Sequence, residues 1–204
     1  MMKDKTLDEF TSELGSSSPT PSGGGAAALC GALAVSLASM VTNLTTGKKK
    51  YAEHQEEYDF LIAQTEILRK SLLQQIENDA KGFEPLSKAY SLPKDDPNRE
   101  AIMEKCLDDA AQPPLQILLQ CCEVVNILGR LKDIGSTMVL SDVACGTAIA
   151  RAAIESALVN VKVNTKLMKN IQRRDEIETK AENFAKVYVQ MAQDIYDQLT
   201  GGED

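Results

Sequence analysis

Along most of the chain apolar residues recur three and four positions apart, the spacing of a buried helix face, and no segment keeps the period of two that a strand requires. Thr6-Leu7-Asp8-Glu9 has the form of a capping box, with Leu7, Phe10 and Leu14 on one face and Gly15 as the stop. The stretch from Ser16 to Gly25, rich in Ser, Pro and Gly, is the strongest loop signal. Ala26 to about Thr46 then reads as a helix of small residues, suited to close backbone approach at the centre of a fold. Gly47 is expected to cap its end, with the cations Lys48, Lys49 and Lys50 beside the negative terminus.

A long helix is predicted from about Glu53 to Tyr90 on the face Leu61, Thr65, Leu68, Leu72 and Ile76, bent or interrupted at Gly82 and Pro85. Asp96-Pro97 predicts the cap and first position of a helix kinked at Pro113 and Pro114. Gly135 opens a break, and Ser141-Asp142 begins a second small-residue helix running to about Lys169. A final helix carries the seam Ile177, Ala181, Phe184, Tyr188, Met191, Ile195 and Leu199. The expectation is one all-α domain over residues 1–204, an antiparallel bundle of about five main helices, some of them kinked.

Composition narrows the function. Aromatics make up only 4% and Trp is absent, so the core must be aliphatic and alanine-rich. A net charge of −8 argues against nucleic acid and anionic membranes as partners, and leaves an anionic small molecule open where cations cluster. The apolar run Ala26 to Val41 is shorter than the ~18 residues of a membrane span, and Asp4, Asp8, Glu9 and Glu13 are unlike a secretory leader. A cytoplasmic chain is expected. Cys30, Cys106, Cys121, Cys122 and Cys145 form no C-x-x-C pair and His54 is the only histidine, so reduced, mostly buried thiols and no metal site are expected.

Four constellations could carry chemistry. Gly23, Gly24 and Gly25 after Ser22 either cradle an anion or carbonyl at a helix N-terminus or form a tight turn into that helix. Lys48, Lys49 and Lys50 either cap a helix or clamp a carboxylate or electron-rich ring, with Tyr51 available for stacking. Asp79 beside the expected break, and Asp142 after Ser141 at a helix start, are carboxylates whose role depends on burial. Asn160 and Asn164, four apart, share a helix face and bind either a partner helix or a ligand.

Taken in order, these segments resemble the cyclodeaminase/cyclohydrolase family of folate enzymes. The resemblance rests on Pro19-Thr20-Pro21-Ser22-Gly23-Gly24-Gly25-Ala26-Ala27-Ala28-Leu29 and on Met40-Val41-Thr42-Asn43-Leu44-Thr45 running into Gly47-Lys48-Lys49-Lys50-Tyr51. It continues through Asp79-Ala80, Leu92-Pro93-Lys94, Ser141-Asp142-Val143 and Asn160-Val161-Lys162-Val163-Asn164. Two departures stand out: Ser22 precedes the glycines and Gly25 takes the family's serine place, and Pro85 is atypical.

The resemblance implies a homodimer binding a reduced folate near the subunit interface, without metal or covalently bound cofactor. It implies Asp79 as proton donor and acceptor, with Asp142 as a second candidate for that role or as a group reading the pterin edge. Lys48 would offset developing charge or join Lys49 and Lys50 on a glutamate tail. Ser22, Gly23, Gly24, Gly25, Asn43, Tyr51, Ser141, Asn160 and Asn164 complete the implied substrate contacts. Methenyltetrahydrofolate cyclohydrolysis is favoured over formiminotetrahydrofolate cyclodeamination because no formiminotransferase segment accompanies the sequence; a non-catalytic helical dimer is the contrasting class.

Overall fold

The computed structural model describes residues 1–201, and among these every regular element is helical. After a short 3-10 turn, α1 spans Leu7–Leu14, α2 Gly23–Thr45, α3 Gln55–Tyr90, α4 Arg99–Ile134, α5 Leu140–Thr165 and α6 Ile171–Thr200. The capping box at α1 is formed on both sides, Thr6 Oγ1 accepting from the Glu9 amide at 3.2 Å and Glu9 accepting from the Thr6 amide at 2.8 Å. Gly47 adopts φ +75°, the left-handed conformation that ends α2. The five long helices α2 to α6 match the expected bundle.

Side-chain contacts fix the topology. Gly31 of α2 lies against Leu72 of α3 and Cys121 of α4, while Gly25 meets Ile76, so α2 and α3 run antiparallel. Tyr58 at the start of α3 donates its hydroxyl to the Ile134 carbonyl at the end of α4, 2.7 Å away. Gly146 of α5 meets Leu128 of α4 and the Ala34 carbonyl of α2, and Arg151 of α5 pairs with Gln193 of α6. Each long helix is therefore antiparallel to the next. Helix α2 sits among α3, α4 and α5, and an added Cβ at Gly31 would stand 2.7 Å from Cys121 Sγ. Only glycine permits that approach.

Several boundaries correct the sequence reading. Gly23, Gly24 and Gly25 are not loop but the first turn of α2. That makes α2 23 residues long, so α2 and the Thr137–Thr165 stretch are each long and apolar enough to cross a membrane. Packing of α2 inside the bundle accounts for its apolarity. Helix α3 is continuous through Gly82 and Pro85. Helix α4 starts at Arg99 after Asn98, because Asp96 instead accepts from the Asn98 amide at 2.8 Å in a turn. It is also continuous through Pro113 and Pro114, both buried. Proline lacks the amide that would bond four residues back, and the Ala110 carbonyl that Pro114 leaves free accepts from Asn164 Nδ2 at 2.8 Å. Helix α5 ends at Thr165, short of Lys169. All five cysteines are free, Cys106, Cys121 and Cys122 buried and Cys145 exposed.

Candidate active site

The N-terminus of α2 carries no side chain over its first three residues, and α3, passing antiparallel beside it, delivers Asp79 into that space. Asp79 Oδ2 accepts from Ser22 Oγ at 2.8 Å and from the Gly25 amide at 3.1 Å. A Cβ on Gly24 would lie 2.0 Å from Asp79 Oδ1, so the carboxyl occupies the volume a side chain would take. Ser22 stands at the N-cap position in extended conformation (φ −119°, ψ −168°), yet its side chain accepts no capping bond. Asp79 caps the helix in its place, accepting from the Gly25 amide 54 residues earlier in the chain.

Burial pushes the Asp79 carboxyl above its ordinary range, and the donors Ser22 and Gly25 oppose that rise without cancelling it. No cation pairs with Asp79 among the described residues. Oδ1 accepts no hydrogen bond and is not sealed from the surface. A desolvated carboxyl with one oxygen tethered and one free is suited to taking up and returning a proton.

Asn160 of α5 borders this site: a Cβ on Gly23 would stand 3.1 Å from its Nδ2, which donates to the Ser156 carbonyl of its own helix. Asn164 settles the other way, spent on α4 through Ala110. Along α3, a cavity of about 220 Å³ is walled by Pro19, Thr20, Ala80, Phe83, Ser87 and Lys88. Phe83 and Ser87 lie four and eight residues beyond Asp79, on the same helix face. The sequence reading missed them because it expected a break at Gly82 and Pro85; the four-residue spacing was the available signal. A larger cavity of about 440 Å³ is lined by Tyr90, Lys94, Arg99, Met103, Leu167 and Lys169, and Asp79 lines neither cavity.

The remaining predicted residues gather at the opposite end of α2. Asn43 is exposed and donates to the Ser39 carbonyl at 2.8 Å. Lys48, Lys49 and Lys50 are exposed and make no ion pair among the described residues; Lys50 Nζ stands 5.2 Å from the Tyr51 ring centre. The Tyr51 hydroxyl accepts from the Thr137 amide at 3.2 Å, which ties this corner to the start of α5 and lowers the phenol below its usual range. Ser141 is exposed and Asp142 half-buried in the first turn of α5. With α2 23 residues long and rising ~1.5 Å per residue, the two groups are separated by ~30 Å. Within one chain Asp79 and Asp142 do not share a site, and neither do Asp79 and Lys48.

The family model described as formiminotransferase-cyclodeaminase matches residues 6–183. A methenyltetrahydrofolate cyclohydrolase of Methylorubrum extorquens is 36% identical over 170 residues, covering 81% of this chain and 82% of that protein. The mouse formimidoyltransferase-cyclodeaminase is 28% identical over 169 residues, and there the chain corresponds to only 31% of the longer protein. The crystal structure of formiminotetrahydrofolate cyclodeaminase from Thermotoga maritima shares the fold, with a TM-score of 0.91 over 99% of this chain and 98% of that one at 24% identity.

Proposed function

The chain belongs to the formiminotransferase-cyclodeaminase family, and on that premise we propose that it is a cytoplasmic folate one-carbon enzyme, a methenyltetrahydrofolate cyclohydrolase. The observation that carries this reading is Asp79, desolvated at the mouth of α2 with Oδ1 free. Water adds to the electrophilic carbon bridging N5 and N10 of 5,10-methenyltetrahydrofolate while Asp79 accepts one of its protons. The tetrahedral carbon then collapses as Asp79 returns that proton to N5. The N5–C bond breaks, the formyl group stays on N10, and the second proton of the water leaves to solvent.

The substrate site is proposed to be completed by a second copy. Near the Asp79 end of α3 the cavity of about 220 Å³, which Asp79 itself does not line, is smaller than the ~300–1,000 Å³ typical of ligand sites. Helix α2 has no charged residue, and it exposes Leu33, Met40 and Leu44, Leu33 and Leu44 each nearly half exposed, with Leu29 and Leu37 half-buried on the same face. Beside it α5 exposes Ala152, Ser156, Val159 and Val163. Two helix faces ~30 Å long and ~10 Å wide give ~600 Å², approaching the ~800 Å² each partner contributes to a standard interface. A two-fold axis across the middle of α2 sets the unpaired lysine run of one copy against the unpaired Asp79 of the other. There Lys48–Lys50 would meet the folate's glutamate tail, and Asp142 the pterin edge.

The test follows the decay of the methenyl chromophore, in parallel with ammonia release from 5-formiminotetrahydrofolate. Faster decay without ammonia release supports the cyclohydrolase; ammonia release alone moves the assignment to the cyclodeaminase; neither activity refutes the reading. Mixing Asp79→Asn with Lys48→Ala, whose KM is raised, should give more turnover at limiting folate than the two proteins assayed separately if sites are shared between copies.

A further inference from the structure

The Ser22 hydroxyl has one hydrogen, and the structure gives it to Asp79 Oδ2. The Gly25 amide is aimed at the same oxygen. With both donors on Oδ2, a proton bound by the carboxyl goes to Oδ1, which faces no donor and reaches the surface. We infer that Ser22 is a positioning residue for Asp79, turning the carboxyl so that Oδ1 is the oxygen that meets substrate and carries the moving proton. The inference rests on the proposed role of Asp79 in proton transfer, and it replaces the expected contact between Ser22 and substrate.

Three features support it independently. Ser22 has the backbone conformation of a helix cap but its side chain accepts no capping bond, so its hydroxyl serves the carboxylate instead. Within its own chain Asp79 has no ion pair among the described residues, so its two hydrogen bonds are what orient it. Gly24 leaves the carboxyl room to sit between its two donors. With Ser22 removed, the Gly25 amide is the only tether. Rotation about Cβ–Cγ then exchanges the two oxygens.

The experiment compares full-length wild type, Ser22→Ala and Ser22→Thr. Carbon-13 NMR of the aspartate carboxyls follows Asp79 in the free protein, its signal assigned by its loss in Asp79→Asn, alongside pH–rate profiles and thermal melts. Donation by Ser22 favours the ionised form, so its removal leaves burial less opposed. The Asp79 midpoint should rise by about one pH unit in Ser22→Ala, with kcat falling about 10-fold and KM moving far less. Ser22→Thr, which keeps the donor, should restore both midpoint and kcat.

An unmoved Asp79 midpoint in a folded Ser22→Ala protein overturns the inference, as does a loss confined to KM or to melting temperature. A midpoint that moves in the free protein but not in the pH–rate profile removes Asp79 from the proton transfer. That result defeats the functional reading while leaving the Ser22–Asp79 coupling measured. If Ser22→Ala does not fold, Ser22→Cys, whose thiol is a weaker donor, carries the test, and a wild-type Asp79 midpoint and kcat in that variant overturn the inference.

Discussion

Replacing Gly24 by alanine tests the site geometry more sharply than removing the carboxylate. The new Cβ would stand 2.0 Å from Asp79 Oδ1, 2.5 Å from Cγ and 2.7 Å from Oδ2, whereas real Cβ contacts essentially never fall under 3.0 Å. Asp79 must therefore retreat by about 1 Å or more, and its bonds to Ser22 and Gly25, now 2.8 and 3.1 Å, pass the ~3.2 Å range of good geometry. Hydrogen bonds to a charged group are worth about 1.5–3 kcal/mol each. Two effects offset that loss: the freed carboxylate regains water, and alanine is better than glycine in a helix by roughly 0.5–1 kcal/mol. A net loss of about 1–3 kcal/mol should lower the melting temperature by several degrees in a chain of this size. Displacement of a reacting group by ~1 Å costs on the order of 100-fold, so kcat should collapse in a protein that still folds.

The neighbouring glycines are built-in controls. A Cβ on Gly25 meets Pro21 Cβ at 3.4 Å and Ile76 at 3.8 Å, ordinary contact, so Gly25→Ala should keep its stability and most of its turnover. A Cβ on Gly23 meets Asn160 Nδ2 at 3.1 Å, which must give by a few tenths of an ångström, so Gly23→Ala should fall between. Circular-dichroism melts and chromophore decay on the three variants measure both quantities. Wild-type kcat in Gly24→Ala, or an equal collapse in Gly25→Ala, would refute the reasoning.

Asp79→Asn should lose on the order of 10²–10⁴-fold in kcat with a much smaller change in binding, and an undiminished steady-state kcat would transfer the role elsewhere. Because burial raises the folded-state pKa of Asp79, the native state holds its proton more tightly than the unfolded chain. Wild-type stability should therefore fall relative to Asp79→Asn as pH rises from below the ordinary aspartate value of about 3.9 through the higher folded one; denaturant melts from pH 3 to 8 in which that gap does not widen would contradict the assigned burial. Single alanine replacements of Lys48, Lys49 and Lys50 should raise KM, most for substrates with long glutamate tails, and unchanged kinetics in all three would leave the run as a helix cap. Turnover should survive exhaustive chelation, since no three of His, Cys, Asp or Glu converge among the described residues; loss that zinc restores would count against this.

The helical period, the capping box, Gly47 and the small-residue helices were legible because each is local: spacing, side-chain size and turn chemistry act over a few residues. The family's ordered motifs named candidate residues but not which of them meet. Gly82 and Pro85 do not interrupt their helix as punctuation alone allowed, because packing carries the chain through. Helix α3 continues through Gly82 and Pro85, and α4 through Pro113 and Pro114, because bundle contacts hold them and Asn164 satisfies a carbonyl that proline leaves free. The expected loop of glycines became a helix start because Asp79, 54 residues away, supplies the cap.

Whether Asp79 was a surface carboxylate or a desolvated one could not be read from its neighbours in the chain. Its burial comes from α3 crossing the bare first turn of α2, a contact between segments distant in sequence. Only the tertiary structure could separate the candidate residues into two groups, since the length of α2 and the antiparallel return of α3 and α5 set Asp79 at one end of the bundle and Lys48 and Asp142 at the other.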